Sequence, residues 1–291
     1  MQGFIIKTIS NDYYVYSNNT IYACKARGQF KNNNITPLCG DDVIFEYDSI
    51  AKYGLITTIL PRKNSLVRPS VANVDLALIV MSTIEPSFDS YLVDKLIVCA
   101  TLEGIEPILI VNKCEFLTDS LKCLLENYKK AGYIVIESSA KNMINIEKIH
   151  EVIANKKVVL CGQSAVGKSS IINALHGNDI KNVGSYSEKL GRGRHETREV
   201  EFLKINDCFI ADTPGFSRLD IKEDLTCVAR AFKDFNLLAN KCKYNTCLHK
   251  DEPNCAVKEA VNNGTIDKRR YDNYLHLLSE IKDGKKVWRK K

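Results

Sequence analysis

The sequence predicts a multi-domain chain in three parts: an N-terminal β-barrel, a central parallel α/β sheet, and a helical end carrying a cluster of thiols and an imidazole. Three observations support this. Five short runs of aromatic and β-branched residues crowd into residues 1–67. From about 68 to 221, apolar strand patterns alternate with helical ones. Beyond about 222 the pattern is helical, interrupted by Cys242-x4-Cys247-x-His249-x5-Cys255.

In the first part, strands are expected near Gly3–Ile9, Tyr13–Ser17, Thr20–Lys25, Asp42–Tyr47 and Gly54–Leu60. Asn18-Asn19 fits a tight hairpin turn, because Asn tolerates positive φ. Five short strands of this length fit the OB-fold. Eight Lys and Arg between Lys7 and Arg68 face five acids. That excess, with several tyrosines, suits RNA stacking and backbone contact. The equal alternative is that the aromatics fill the core and the charges are solvated.

In the second part, strands are expected at Asp75–Met81, Pro107–Val111, Tyr133–Glu137, Lys157–Cys161 and Cys208–Ala211. Helices are expected at Tyr91–Leu102, Leu117–Ala131, Ile144–Ile153 and Lys168–Leu175. Such alternation predicts a parallel sheet with helices on both faces. In the third part, Ile266–Ile281 reads as a long helix, followed by a basic tail from Lys285 to Lys291.

Composition narrows the classes. The chain has 291 residues, 45% of them hydrophobic, with a net charge of +6. That is ordinary for a globular chain and too apolar for a disordered one. The charge permits a nucleic-acid partner without demanding one. No apolar run approaches the ~18 residues of a membrane span. Met1-Gln2-Gly3-Phe4 lacks a basic region followed by a long apolar core, so no export signal is expected. The 11 cysteines, among them Cys99, Cys161 and Cys208 in apolar runs, then read as reduced, and the expected location is cytoplasmic.

The motif with the most chemistry is Gly162-Gln163-Ser164-Ala165-Val166-Gly167-Lys168-Ser169, followed by Ser170. It matches GxxxxGK[ST] between a strand and a helix, the context a phosphate-binding loop requires. Its glycines let backbone N–H groups wrap phosphates, and the helix N-terminus adds partial positive charge. Lys168 is expected to reach the β- and γ-phosphates, and the Ser169 hydroxyl to ligate Mg²⁺. Asp212-Thr213-Pro214-Gly215 closes another strand. Asp212 is expected to hold Mg²⁺, and the Gly215 N–H to reach the γ-phosphate.

Asn112-Lys113-Cys114-Glu115 and Ser138-Ser139-Ala140 each follow a strand and resemble the two guanine-recognition elements of GTPases. A carboxylate can accept from the N1–H and N2–H₂ edge of guanine, and adenine offers no such pair there. Here that carboxylate is Glu115, one methylene longer than the usual Asp. The Lys113 stem would lie over the base plane. In ordinary GTPases the phosphate loop comes first and the base-reading motifs last. Here the base-reading motifs precede the loop and Asp212–Gly215 follows it, so the centre resembles a circularly permuted GTPase.

Leu190–Arg198, between the loop and Asp212, is expected to be the first switch, with Thr197 closing on Mg²⁺ and the γ-phosphate. Phe216 stands where Ras-like enzymes carry a water-orienting Gln, and an apolar ring cannot orient water. His195 is the nearest polar candidate for that role. A loop residue contacting phosphate or RNA is the equal alternative for it. Cys242, Cys247, His249 and Cys255 supply three thiolates and one imidazole, a closed structural zinc set. They lie in a loop-rich stretch with no evident core of its own.

Together these motifs, over nearly the whole chain, resemble the bacterial ribosome-small-subunit-dependent GTPase family. The resemblance implies a GTP hydrolase (GTP to GDP and phosphate) using Mg²⁺ and one structural Zn²⁺. It implies late maturation of the small (30S) ribosomal subunit, contact with its 16S rRNA, and slow turnover that the subunit stimulates. A monomer with no membrane partner is expected. Glu115 departs from the family's Asp, and Glu196 stands where a second threonine is common. A GTP-regulated RNA-binding switch with negligible turnover is the alternative that Phe216 favours. A nucleotide kinase or ATPase shares the phosphate loop, but Asn112-Lys113 and Ser139-Ala140 argue against it. The expected boundaries are 1–67, 68–221 and 222–291.

Overall fold

Five short strands rich in β-branched and aromatic residues, all within the first 59 residues, curl into a closed barrel. The strands are β1 (Gln2–Ile9), β2 (Asp12–Ser17), β3 (Thr20–Ala26), β4 (Asp42–Asp48) and β5 (Tyr53–Ile59). In this computed structural model, which describes residues 1–28, 30, 36–66, 70–177, 200–212 and 224–288, their order is β1-β2-β3-β5-β4. β1 closes antiparallel on β4, and β3 runs parallel to β5. Asn18 and Asn19 take φ of 48° and 61° between the paired Ser17 and Thr20. This is the tight turn whose twist matches antiparallel strands.

The barrel core is Ile5, Tyr13, Val15, Cys24, Phe30, Val43, Phe45 and Ile56. Its aromatics therefore divide. Tyr13 and Phe45 are core; Tyr22 is half-buried against that core, its ring 5.3 Å from that of Phe45, and it meets the exposed Tyr47 edge-on with centroids 4.8 Å apart. Two short strands follow, β6 (Ser65–Leu66) and β7 (Val71–Ala72), paired antiparallel.

Contacts divide the chain into two units that interleave in sequence. The first comprises residues 1–77, 146–161 and 169–216. Beyond the barrel it contains the amphipathic helix α3 (Ile146–Ile153), β11 (Lys157–Cys161), β12 (Phe202–Ile205) and β13 (Cys208–Asp212). β11 pairs parallel with β13, and β12 forms an antiparallel hairpin with it. The sequence reading did not include β12, because a four-residue run becomes a strand only through its partner. Phe4 packs edge-on against Phe209 at 4.7 Å, and Lys157 bonds Asp42 at 2.8 Å.

The second unit comprises residues 78–145, 162–168 and 217–291. Its strands run in the order β10 (Ile134–Glu137), β9 (Glu106–Asn112), β8 (Leu76–Ser82), with β10 parallel to β9. Every residue of β8 is buried, as expected for a strand covered on both faces. Helix α1 (Ser90–Leu102) is capped by the Asp89 carboxylate, which accepts from Leu92 N–H at 3.1 Å. Helix α2 (Asp119–Lys130) is capped by the Thr118 hydroxyl. Gly132, at φ 87°, ends α2 in the left-handed turn that favours glycine.

The helices of the C-terminal part are α5 (Leu225–Arg230), α6 (Lys233–Ala239), α7 (Ala256–Asn262) and α8 (Lys268–Trp288). The last starts two residues later than its apolar pattern and runs seven further. Arg270 of α8 is fully buried. It bonds Asp94 of α1 at 3.2 Å and Asp234 of α6 at 2.6 Å, with its guanidinium 5.1 Å from the Tyr128 and Tyr133 ring centres. Burial pushes the Asp94 carboxyl up to about 6, against the downward pull of Arg270 and of the Asn273 amide. Among the described residues, no helix is long and apolar enough to cross a membrane.

Candidate functional site

The phosphate loop is shaped by backbone conformations that side chains resist. Gly162 has φ 131°, and a Cβ there would lie 2.1 Å from the Val80 carbonyl oxygen. Only glycine fits so close an approach. Ala165 and Gly167 also take positive φ, 66° and 97°. Helix α4 (Lys168–His176) then begins, so its first N–H groups belong to the loop. Lys168 Nζ donates to the Gly162 carbonyl at 3.0 Å and the Gln163 carbonyl at 2.6 Å, which folds the ammonium back over the loop. The donor set suits a polyphosphate: backbone amides, a helix start and one ammonium. Val166 is buried beneath the loop, whereas Ser164, Ala165, Ser169 and Ser170 are exposed.

One side chain joins three motifs. Asn112, 3% exposed at the end of β9, donates through Nδ2 to the Val166 carbonyl at 3.0 Å. Its Oδ1 accepts from Ala140 N–H at 3.1 Å. Asn112-Lys113, Ser139-Ala140 and the phosphate loop thus meet at a single buried amide. The main chain repeats the link: Cys114 N–H donates to the Ser138 carbonyl at 3.0 Å, and Ser138 N–H to the Val111 carbonyl at 2.8 Å. Ser139 Oγ accepts from Asn142 N–H at 3.2 Å and turns the loop after β10. Glu115 sits exposed in a 3₁₀ turn, Cys114–Phe116.

Lys113 adopts left-handed φ and ψ of 60° and 39°. The Thr83 hydroxyl donates to its carbonyl at 2.8 Å, and its ammonium donates to the Ile84 and Glu85 carbonyls at 2.9 and 2.7 Å. The sequence reading did not single out Thr83, Ile84 or Glu85. They follow β8 with no motif of their own, and only their meeting with Lys113 marks them.

β13 pairs Asp212 with Leu160, two residues before Gly162, which brings the Asp212 strand end beside the strand leading to the phosphate loop. His195, Thr197 and Gly215, with Glu196 and Phe216, lie outside the described residues, and so does the Asp212 side chain.

The metal-ligand candidates converge. One ligand atom from each of Cys242, Cys247, His249 and Cys255 lies within 4.8 Å of the others, all four residues buried. Cys242 Sγ is 3.6 Å from His249 Nδ1 and 3.9 Å from Cys255 Sγ, and Nδ1 is 3.3 Å from Cys255 Sγ. A tetrahedral zinc with Zn–S near 2.3 Å has ligand–ligand edges of about 3.8 Å. The set fits such an ion. Burial holds His249 below its ordinary value and pushes Cys247 up to about 12. A metal would displace that proton.

The surrounding loop is independently tied. The Glu252 carboxylate accepts from the N–H groups of Leu248 and Lys250, both at 2.9 Å, and Tyr271 and Tyr274 donate to the His249 and Leu248 carbonyls. One expectation needs correction. The three cysteines do belong to a hydrophobic core, with Phe232, Phe235 and Tyr274. That core is built by α5, α6, α7 and α8 together, so helices before and after the loop in sequence close over it.

Comparisons with known proteins agree with this geometry. The family model described as RsgA N-terminal domain matches residues 2–56, and the RsgA GTPase model matches residues 59–222. A "Small ribosomal subunit biogenesis GTPase RsgA" from Caldanaerobacter subterraneus subsp. tengcongensis is 44% identical over 292 residues, covering 98% of this chain and 97% of that protein. One of the same name from a Geobacillus species is 41% identical, covering 98% of each. Two crystal structures share the fold. YloQ, described as a circularly permuted GTPase, aligns with TM-score 0.82 at 34% identity over 97% of this chain and 95% of its own. YjeQ from Thermotoga maritima aligns with TM-score 0.83 at 32% identity, over 96% and 98%.

Proposed function

This chain belongs to the RsgA GTPase family, and from that premise we propose that it serves biogenesis of the small ribosomal subunit, binding the 30S particle and its 16S rRNA and hydrolysing GTP faster when bound. It is a GTP hydrolase with a circularly permuted fold. The observation that carries the nucleotide reading is Asn112, whose amide ties the base-reading segments to the phosphate loop.

In the proposed roles, the loop amides and Lys168 bind the β- and γ-phosphates and stabilise charge that builds during transfer. Glu115 reads the guanine edge, Lys113 supports the base, and Ala140 and Ser139 shape the rim around it. Ser169, Asp212 and Thr197 would hold Mg²⁺, which neutralises charge on the phosphate oxygens when bound. His195 orients water, in place of the residue that Phe216 does not supply. Cys242, Cys247, His249 and Cys255 would hold one zinc, which fixes the loop and takes no part in hydrolysis.

The barrel suits RNA through net positive charge and the exposed Tyr47. The division 1–67, 68–221, 222–291 follows the motifs, with the barrel core confined to the first part. Tighter binding of one nucleotide form requires coupling between the nucleotide and the RNA-contacting surface. Coupling of this kind is typically ~1–3 kcal/mol, a roughly 5–150-fold difference in affinity between nucleotide forms.

The test is sedimentation with purified 30S subunits in GTP, GDP and a non-hydrolysable GTP analogue, together with multiple-turnover phosphate release. Tighter binding of the GTP form and faster release with subunits are expected. Equal affinity and no acceleration would remove the ribosomal function and leave the GTPase.

A further inference from the structure

We propose that Thr83 is a positioning residue for nucleotide binding, and that the Thr83–Glu85 segment straps Lys113 into a preformed shelf for the base. The proposal rests on the assignment of Lys113 to guanine binding made above. Lys113 is held at both ends. At the main chain, Thr83 Oγ1 donates to its carbonyl at 2.8 Å, and Thr83 N–H donates to the carbonyl of neighbouring Asn112 at 3.2 Å. At the side-chain tip, Nζ donates to the Ile84 and Glu85 carbonyls. The segment itself is shaped by Ser82, whose hydroxyl donates to the Pro86 carbonyl at 2.7 Å.

Two physical reasons make this more than local packing. Lys113 takes a left-handed backbone, φ 60°, which a residue with a long side chain avoids unless its surroundings impose it. The Thr83 hydroxyl, on a residue 8% exposed, is bonded to that same peptide. A lysine also loses more rotamer freedom on ordering than most side chains. Here both ends of the stem are fixed by the protein's own groups, so a base settling on it orders little that is still free. That is preorganisation, and it raises affinity without adding a contact to the ligand.

The experiment measures GDP and GTP affinity and steady-state GTP hydrolysis for the full-length wild type and for Thr83→Val, Thr83→Ser, Lys113→Met and Lys113→Ala. Thr83→Val keeps the shape and removes the hydroxyl. One hydrogen bond is worth roughly a 3- to 10-fold change in affinity. Thr83→Val is expected to weaken GDP by that factor, mainly through faster release, and to raise KM for GTP by more than it lowers kcat. Thr83→Ser should restore binding to within about twofold, which a packing role of the methyl group would not allow. Lys113→Met keeps the stem but cannot reach the two carbonyls, and it should weaken binding comparably. It tests the strap independently if Thr83→Val melts early.

Wild-type affinity in Thr83→Val, or failure of Thr83→Ser to rescue, overturns the role of the hydroxyl. Wild-type affinity in Lys113→Met overturns the strap. If Lys113→Ala also binds guanine nucleotides as wild type does, the guanine-site assignment itself is wrong. Weakened Lys113→Ala beside unaffected Thr83→Val refutes the proposal alone.

Discussion

Replacing Arg270 by Met tests how the C-terminal helix is pinned to the rest of its unit. Arg270 is 0% exposed and faces two carboxylates, Asp94 at 3.2 Å and Asp234 at 2.6 Å. Methionine fills much of the volume but supplies no charge. Two buried carboxylates then lose their cation. Breaking a buried pair by removing one partner costs about 3–5 kcal/mol, mostly from the uncompensated charge. For a chain of this size that lowers the melting temperature on the order of 10 °C.

The loss has a defined pH dependence. In the wild type, burial already holds Asp94 at about 6, above its unfolded 3.8. A raised folded value means the stabilising contribution is full below the unfolded value and fades as pH rises through the folded one. Removing Arg270 takes away the main downward pull on both carboxyls and raises them further. The stability deficit of Arg270→Met relative to wild type should therefore be smaller near pH 4.5, where the carboxyls can protonate, and larger near pH 7.5. The assay is thermal and urea unfolding followed by far-UV circular dichroism at both pH values. Substituting Asp94→Leu and Asp234→Leu as well should recover much of the loss, because no buried charge remains. A deficit under about 1 kcal/mol at pH 7.5, or one that grows on acidification, would refute the reasoning.

Gly162→Ala should lower GTP and GDP affinity at least tenfold, since the new Cβ falls 2.1 Å from the Val80 carbonyl oxygen; wild-type affinity by fluorescence titration would contradict that close approach. Cys247→Ser should drop metal content from one zinc per chain towards none and destabilise the C-terminal helices, read by elemental analysis and hydrogen exchange. Well-folded wild-type protein without zinc would rule out the site. Glu115→Ala should shrink the preference for GTP over ATP by ten-fold or more, and an unchanged affinity ratio would move base recognition elsewhere.

Local chemistry made most of the elements legible. β2 and most of β5 alternate with period two, and Asn18-Asn19 occupies the turn that suits their φ. The fully apolar run from Leu76 reads as a buried strand, and the phosphate loop stands between the strand and helix that its motif demands. The cysteine spacing likewise placed four metal-ligand candidates together, because residues a few positions apart in one loop are forced near one another.

Tertiary structure decided what depends on partners far away in the chain. β12 is a strand because β13 lies beside it. Arg270 is buried because Asp94, 176 positions earlier, meets it. The cysteine loop has a core because Val98 of α1 and Tyr274 of α8 join it from far along the chain. Thr83 matters because the chain end of β8 lies against that of β9, where its hydroxyl finds the Lys113 carbonyl. A motif is a constraint among neighbours in sequence, set by the few dihedral and hydrogen-bonding options of one short segment. A buried ion pair or a strapped lysine is a constraint among neighbours in space, and that adjacency exists only after the chain has folded.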